Sequence, residues 1–140
     1  MTPENRELLF KDLCGRVPYE VIVCIDGTTN VKLASVSYWE EVEVQDGSRY
    51  LYDISDIKPY LFPLSSMTEE QRYEISSGLQ NIHTEHPPFG KIESSGSDNC
   101  LECVTMASTW LIGYYNKNHF DYMGLIPMGL AIDCTNLNIY

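Results

Sequence analysis

The chain has 140 residues, of which 44% are hydrophobic and 21% charged, and nine basic against twenty acidic residues give a formal net charge of −11. This size fits one compact domain, the composition excludes wholesale disorder, and the acidity opposes binding to nucleic-acid phosphates or anionic lipid. No apolar run approaches the ~18 residues that span a bilayer, and the start lacks a secretory pattern, so we expect a cytoplasmic protein without membrane contact.

The first predicted element is a short helix that follows Thr2 and ends near Cys14. Thr2 offers a capping hydroxyl, Pro3 suits the first helical position, and Gly15 is the predicted stop. The residues expected to face inward are Leu9, Phe10, Leu13 and Cys14.

Four strand patterns follow, and they lie at residues 19–25, 30–39, 41–45 and 49–54. The dipeptides Asp26-Gly27 and Asp46-Gly47 mark hairpin turns. Val42 and Val44 alternate with polar residues, which is typical of a strand with one wet face. The predicted fold class is therefore α+β, with a small antiparallel SH3-like sheet or partial barrel packed with about three helices.

The segment from Asp53 to Gln71 is interpreted as the junction between strands and helices. Pro59 and Pro63 cannot donate to a sheet ladder or sit inside a helix, so we expect the strands to end about there. A new helix is predicted to start at Thr68.

That second helix has a capping-box start and an apolar stripe. Thr68 and Gln71 have the spacing of the capping box. Ile75, Leu79 and Ile82 recur at helical spacing, and Gly78 weakens the pattern near its end. Residues 83–99 then form an unusually long predicted loop, of a length that is usually functional or mobile.

A third helix is predicted from Asn99 or Cys100 to about Lys117, with Trp110 bridging to the sheet. Its expected inner positions are Leu101, Val104, Ala107 or Ser108, Leu111, and Tyr114 or Tyr115. A return strand is expected at 130–134. We predict a single domain over 1–140, with the first helix and meander in 1–63 and the helical part, long loop and return strand in 64–140.

The family resemblance is carried by residues 53–71, by residues 110–112 leading into 116–127, by residues 129–133 and by the opening at 11–19. They resemble a family of small uncharacterised proteins encoded by phages, prophages and mobile elements of gut anaerobic bacteria. Only residues from about 76 to 105 fall outside the match. The family has no established activity, so the resemblance implies a genomic setting.

His83-x-x-His86 and Cys100-x-x-Cys103 are two pairs of potential metal ligands separated by thirteen residues. Four nitrogen and sulfur donors can enclose a tetrahedral structural zinc, and a metal would offset the ordering cost of the long loop. The His-first order differs from common zinc-finger spacing. The favoured interpretation is therefore two surface histidines and two packed thiols.

Cys100 and Cys103 are also a candidate dithiol redox site at a helix N-terminus, where the dipole lowers a thiol's pKa. Glu102 and Asp98 oppose the thiolate, and no strand pattern directly precedes the motif. The five cysteines, Cys14, Cys24, Cys100, Cys103 and Cys134, are an odd number in a chain without an export signal, so most are expected to be reduced.

His119 lies at the predicted end of the third helix, where its cation would be favoured and where Asp121 is a possible partner. No motif places a nucleophile beside it, so a capping or packing role is favoured. Asp53 and Asp56 are more typical of turn-fixing acids than of an acid/base pair. With no P-loop or dinucleotide-binding glycine pattern, we expect no enzymatic activity and no cofactor.

The function predicted from these features is that of a phage or mobile-element accessory protein. It would act without catalysis, by binding a host protein or a small signalling ligand. Basic residues that could gather around an anionic ligand are Lys32, Arg49, Lys58, Arg72 and Lys91. The alternative hypothesis is a zinc-stabilised or thiol-redox module centred on Cys100 and Cys103.

Overall fold

The structure is a computed structural model that describes residues 1–47, 50–85 and 97–140, without the side chains of 83–85 and 97–103. It has an α+β architecture. The elements in chain order are α1 (Pro3–Arg16), β1 (Ile22–Ile25), β2 (Thr29–Val36), β3 (Glu41–Val44), β4 (Leu51–Asp53), β5 (Ile57–Pro63), α2 (Glu69–Glu85), α3 (Ser97–Lys117), β6 (Phe120–Asp121) and β7 (Ile132–Asp133). They form two compact units: residues 1–66 with 116–140, and residues 67–115.

The strands of the first unit form one mixed sheet. Strands β4, β3, β2, β1 and β5 lie side by side in that order and pair antiparallel. Strands β6 and β7 both pair parallel with β5, so the expectation of a purely antiparallel sheet is wrong. The chain arrives at both of these strands after long excursions, which is what parallel pairing requires. The SH3-like partial barrel stays a prediction.

Strand β5 contradicts the prediction that the two prolines end the strands. Pro59 is paired with Val23 of β1 inside this buried strand. The Asp26 N–H donates to the Asp56 carbonyl at 3.3 Å, and backbone groups alternate along a strand, so the nitrogen of Pro59 points away from β1. On that opposite side the pairing with β7 starts only at Tyr60. The missing N–H therefore costs no ladder bond.

Helix α1 is capped as expected, because the Thr2 hydroxyl accepts the Asn5 N–H at 3.2 Å. The helix continues through Gly15 to Arg16, so the predicted stop at Gly15 is wrong. A Cβ at Gly15 would lie 3.1 Å from the Asn116 amide nitrogen, so this position suits a residue without a side chain. Cys14, predicted to face inward, is exposed.

Apolar side chains cover both faces of the sheet. The larger cluster is formed by α1 and the inner face of the sheet, and its members are Leu9, Leu13, Val21, Val23, Ile25, Leu33, Val42, Val44, Ile54, Ile57, Leu61, Leu125, Leu130 and Ala131. A smaller cluster is formed by Cys24, Tyr60 and Cys134. Each large aliphatic side chain buried in this way contributes roughly 1.5–3 kcal/mol, so the first unit holds a substantial core of its own.

The second unit consists of α2 and α3. The capping box is confirmed: the Thr68 N–H donates to the Gln71 side chain at 2.9 Å, and the Gln71 N–H donates to the Thr68 hydroxyl at 3.2 Å. The helices extend into both ends of the predicted 83–99 loop, to Glu85 and from Ser97. The rest of that loop lies outside the described residues. No helix among the described residues is long and apolar enough to cross a membrane.

Trp110 contacts α2 at Gly78, where an added Cβ would meet the indole ring at 2.2 Å. Its ring also stacks on Tyr114, with 5.6 Å between the ring centroids. Val104, expected on the inner side, is exposed, since it lies six residues before Trp110 and so roughly 120° around the helix. Contact of Trp110 with the sheet stays a prediction.

Candidate functional site

Two neighbouring aromatic side chains are exposed between β2 and β3. Tyr38 is 85% and Trp39 76% exposed, and their rings meet edge to face at a centroid distance of 5.4 Å. The sequence placed both in a strand over 30–39, but β2 ends at Val36. Large exposed aromatics are costly in water and are enriched at binding hot spots. We name residues 37–40 the aromatic turn and treat it as the candidate contact surface.

The aromatic turn is held by hydrogen bonds from Ser37. Its hydroxyl oxygen accepts the N–H groups of Trp39 and Glu41, both at 3.2 Å. The Glu40 N–H donates to the Ser37 carbonyl at 3.0 Å, and Glu40 takes a left-handed backbone with φ of 60°. The four residues 37–40 let the chain reverse between β2 and β3 while both aromatic side chains stay exposed.

Arg6 of α1 also holds the aromatic turn in place, through its guanidinium. Its guanidinium donates to the Glu40 carboxylate and, with two nitrogens, to Asp53 at 2.7 and 2.9 Å. Hydrogen bonds from Arg6, then from Ser55, hold the pKa of Asp53 well below its usual range. The Glu40 carbonyl also accepts the Ile54 N–H at 3.2 Å. A turn fixed in this way loses little conformational entropy when a partner binds.

A cleft of about 320 Å³ adjoins the start of β3. It is lined by Asp26, Glu41, Tyr50, Leu51, Tyr52, Asp53 and Asp56. The two tyrosine rings meet edge to face at 4.9 Å, and Leu51 is 48% exposed. Carboxylates and aromatic rings therefore share one opening, which we name the acidic cleft.

A buried ion pair joins α1 to the C-terminal segment of the first unit. Asp12 and Arg16 are fully buried, and their two hydrogen bonds measure 2.6 and 2.8 Å. Arg16 also donates to the Phe120 carbonyl at 2.8 Å and lies 5.5 Å from the centroid of the Tyr122 ring. Burial raises the pKa of Asp12, and the bonds from Arg16 oppose that rise. The spacing of the pair, one helical turn apart, is visible in the sequence, but nothing in that spacing distinguishes a buried pair from a solvated one.

His119 lies beside this pair, and its predicted cationic role is wrong. Burial, then the charge of Arg16, lowers the pKa of His119 to about 4, so the ring is neutral at pH 7. The imidazole stacks on Tyr140 at 3.9 Å with an interplanar angle of 7°. The expected pairing with Asp121 does not occur, since that carboxylate accepts the N–H groups of Leu125 and Ile126, both at 2.8 Å. The packing role favoured for this histidine agrees with these contacts.

The Tyr140 side chain bridges β1 and β5 next to the last residue pair of their backbone ladder. Its hydroxyl accepts the Ile22 N–H at 3.2 Å and donates to the Tyr60 carbonyl at 2.8 Å. These two groups face each other where the β1–β5 ladder ends, and burial raises the pKa of the phenol. No sequence pattern signals this role, because it depends on contacts across 80 and 118 residues.

The predicted zinc ligands cannot be placed, since His86 and the side chains of His83, Cys100 and Cys103 lie outside the described residues. Elsewhere in the described part, no group of three or more His, Cys, Asp or Glu residues could hold a metal ion. The zinc and dithiol hypotheses stay predictions. Among the remaining cysteines, burial raises the pKa of Cys134 to about 11, which fits a packed neutral thiol.

Two of the remaining polar candidates, Asp53 and Lys32, have structural partners. Asp53 accepts the Ser55 N–H at 2.8 Å and the Ser55 hydroxyl at 2.6 Å, so it fixes a turn as expected. Lys32, considered for an anionic ligand, pairs with Glu20 at 2.9 Å. Arg49 and Lys91 lie outside the described residues.

Comparison of the chain with protein-family models, with curated proteins and with solved structures finds no match in any of the three.

Proposed function

We propose that this protein is an accessory factor of a phage or mobile element that acts without catalysis, by binding a host protein through the aromatic turn. The observation that carries the proposal is the 76% exposure of Trp39 on a turn fixed by Ser37 and Arg6. The phage setting rests on the resemblance of the chain's opening, centre and C-terminal segments to that family.

The energetics of the aromatic turn favour a protein partner. Each large aromatic side chain buries roughly 150–250 Å² when it is fully covered, at about 25 cal/mol per Å². Covering Tyr38 and Trp39 together would supply on the order of 7 kcal/mol toward the cost of association. Two exposed rings set edge to face on a hairpin turn fit a partner's surface pocket better than they enclose a small molecule.

The sequence also predicted a small signalling ligand as a possible partner. The charges of the chain disfavour such a ligand if it is anionic. Four of the described basic residues are engaged by carboxylates: Arg6, Lys11, Arg16 and Lys32. A nucleotide would therefore have to compete with acidic side chains for these cations as well as approach a chain of net charge −11.

The test compares capture of host proteins by the intact chain and by Trp39→Ala. The chain is immobilised, exposed to a lysate of a gut anaerobic host, and the retained proteins are quantified by mass spectrometry. The matched control is Tyr73→Ala, which removes another exposed aromatic, 74% accessible, from α2. We expect at least one host protein whose retained amount is unchanged by Tyr73→Ala. With Trp39→Ala, the retained amount of the same protein should fall about tenfold or more, as for an interface hot spot.

Both substitutions remove exposed side chains, so each should change the free energy of unfolding by no more than about 0.5 kcal/mol. Equal unfolding midpoints confirm that the folded protein is being compared. Retention of the same host proteins by Trp39→Ala and by the intact chain would contradict the proposed function.

A further inference from the structure

We infer that the partner presents a lysine or arginine side chain that enters the acidic cleft while its apolar surface covers the aromatic turn. The inference rests on the proposed function and adds the chemistry of the partner: a basic protein segment. It follows from the charge of the cleft, from its aromatic walls and from its place beside Trp39.

Three carboxylates of the acidic cleft have no ion-pair partner among the described residues. Asp26, Glu41 and Asp56 take part in none of the ion pairs found among the described residues. The fourth, Asp53, is already neutralised by Arg6 and bonded to Ser55. Within the described part of the chain, the carboxylates that line the cleft thus outnumber the cations paired with them, and a cation is the complementary ligand.

The walls of the cleft suit a side-chain cation better than a bare metal ion. Tyr50, Tyr52 and the half-exposed Leu51 line the same opening as the carboxylates. Lysine and arginine combine an apolar stem with a charged head, and that head is attracted to the faces of aromatic rings. A volume of about 320 Å³ accepts such a side chain.

The cleft and the aromatic turn are adjacent along the chain and share the supports Asp53 and Arg6. Glu41, which lines the cleft, is the first residue of β3 and follows Trp39 by two residues. It pairs across the sheet with Asp53, whose bond to Arg6 also anchors the turn. Because the two features are close along the chain and are held by the same ion pairs, the inference assigns both to one partner segment.

The basic groups that the structure describes near the cleft do not cancel its charge. Arg6 is committed to Glu40 and Asp53. Lys58 lines a neighbouring hollow that it shares with Asp26 and Asp56, outside ion-pair distance of both. Because Glu41 does not border that hollow, at least this carboxylate remains for an incoming cation.

The first test uses small probes whose identity is known. Nα-acetyl-arginine amide and Nα-acetyl-lysine amide are titrated into the ¹⁵N-labelled full chain, with Nα-acetyl-glutamine amide as the neutral control. We expect saturable amide shifts at Gly27, Glu41 and Leu51 with the two cationic probes only. Equal shifts with the glutamine probe, or no saturable shifts at the cleft, overturn the inference.

A charge-matched pair of variants locates the effect. Asp26→Asn, Glu41→Gln and Asp56→Asn combined remove the three carboxylates while keeping side-chain shape, and Asn tolerates the left-handed backbone of Asp26. The control combines Glu4→Gln, Glu69→Gln and Glu70→Gln, which changes net charge equally at exposed sites outside the cleft. We expect the first variant to weaken probe binding about tenfold, and the control to leave it unchanged.

The two proposals fail in different ways. If Trp39→Ala abolishes host-protein capture but the cleft variant leaves capture and probe binding unchanged, the basic-segment inference is overturned and the proposed function stands. If Trp39→Ala leaves capture unchanged, the proposed function fails, whatever the probes show. Loss of capture in both variants, with capture kept by the charge control, supports the two together.

Discussion

Arg16 is a cation with no accessible surface, and its surroundings explain why it is tolerated. Asp12 supplies the opposite charge, the Phe120 carbonyl accepts a further hydrogen bond, and Tyr122 presents its ring. Removing two charges from water is expensive, so such a pair contributes little net stability but is costly to break. At the scale of single residues, this pair and His119 carry the clearest consequences for stability.

Arg16→Met alone should lower the free energy of unfolding by about 3–5 kcal/mol, because it leaves the Asp12 carboxylate buried without a counter-ion. The double variant Asp12→Leu with Arg16→Met removes both charges and should lose clearly less. Urea unfolding of the four proteins in this cycle provides the measurement. A double variant as unstable as the sum of its single variants would show that the pair is not energetically coupled.

His119 predicts a stability that falls as the solution is acidified. Its folded pKa of about 4 lies below the ordinary 6.5, so between these values the unfolded chain binds more protons than the native one. The contribution is therefore fully present above pH 6.5 and is lost as the pH falls toward 4. His119→Phe keeps a ring to stack on Tyr140 and removes the titration.

Between pH 7 and pH 5, the intact chain should lose more stability than His119→Phe does, as measured by urea unfolding. The imidazole signal of His119, assigned by its absence from the variant, should titrate with a midpoint near 4. A midpoint near 6.5 together with parallel stability profiles would contradict the buried, neutral assignment.

The helix pair shows how an element can depend on a missing side chain. Gly78 lowers helix propensity, and from the sequence alone it predicts a weak point near the end of the second helix. In the structure it is the site where α2 accommodates the Trp110 ring of α3. The lower helix propensity of glycine is thus offset by the close contact that it allows between α2 and α3.

Gly78→Ala should therefore destabilise the protein by about 1–3 kcal/mol, even though alanine favours helix by ~1 kcal/mol at an unhindered site. The added Cβ would overlap the indole, which must move. Introduced together with Trp110→Leu, the same substitution should be neutral or stabilising relative to Trp110→Leu alone. Thermal unfolding of the four proteins tests this, and a destabilisation that persists without the indole would place its cause elsewhere.

Elements with local signals were predicted well. The Thr2 cap, the capping box at Thr68 and the Asp26-Gly27 hairpin are all present, since each depends on residues a few positions apart. Strand β5 was missed because a proline is excluded from a ladder only on the side where its nitrogen points. That side depends on which neighbours pair, and the sequence of β5 does not contain this information.

At the scale of the whole molecule, the proposed function combines the acidity of the chain with its exposed aromatic side chains. A net charge of −11 repels nucleic acid and attracts basic surfaces from a distance, while the aromatic turn supplies short-range contact. The proposed function assigns these roles to one partner, with charge governing the approach and Trp39 governing the lifetime of the complex.

The sequence by itself determined the α+β class, the helix starts, the first hairpins and the acidity, because these follow from composition and from patterns within a few residues. Only the tertiary structure decided the parallel pairing of β6 and β7, the burial of Arg16 and the bridging role of Tyr140. It also showed that Trp39 is exposed rather than part of a strand. Each of these depends on groups far apart in the chain, and burial, which sets their energies, is a property of the assembled fold.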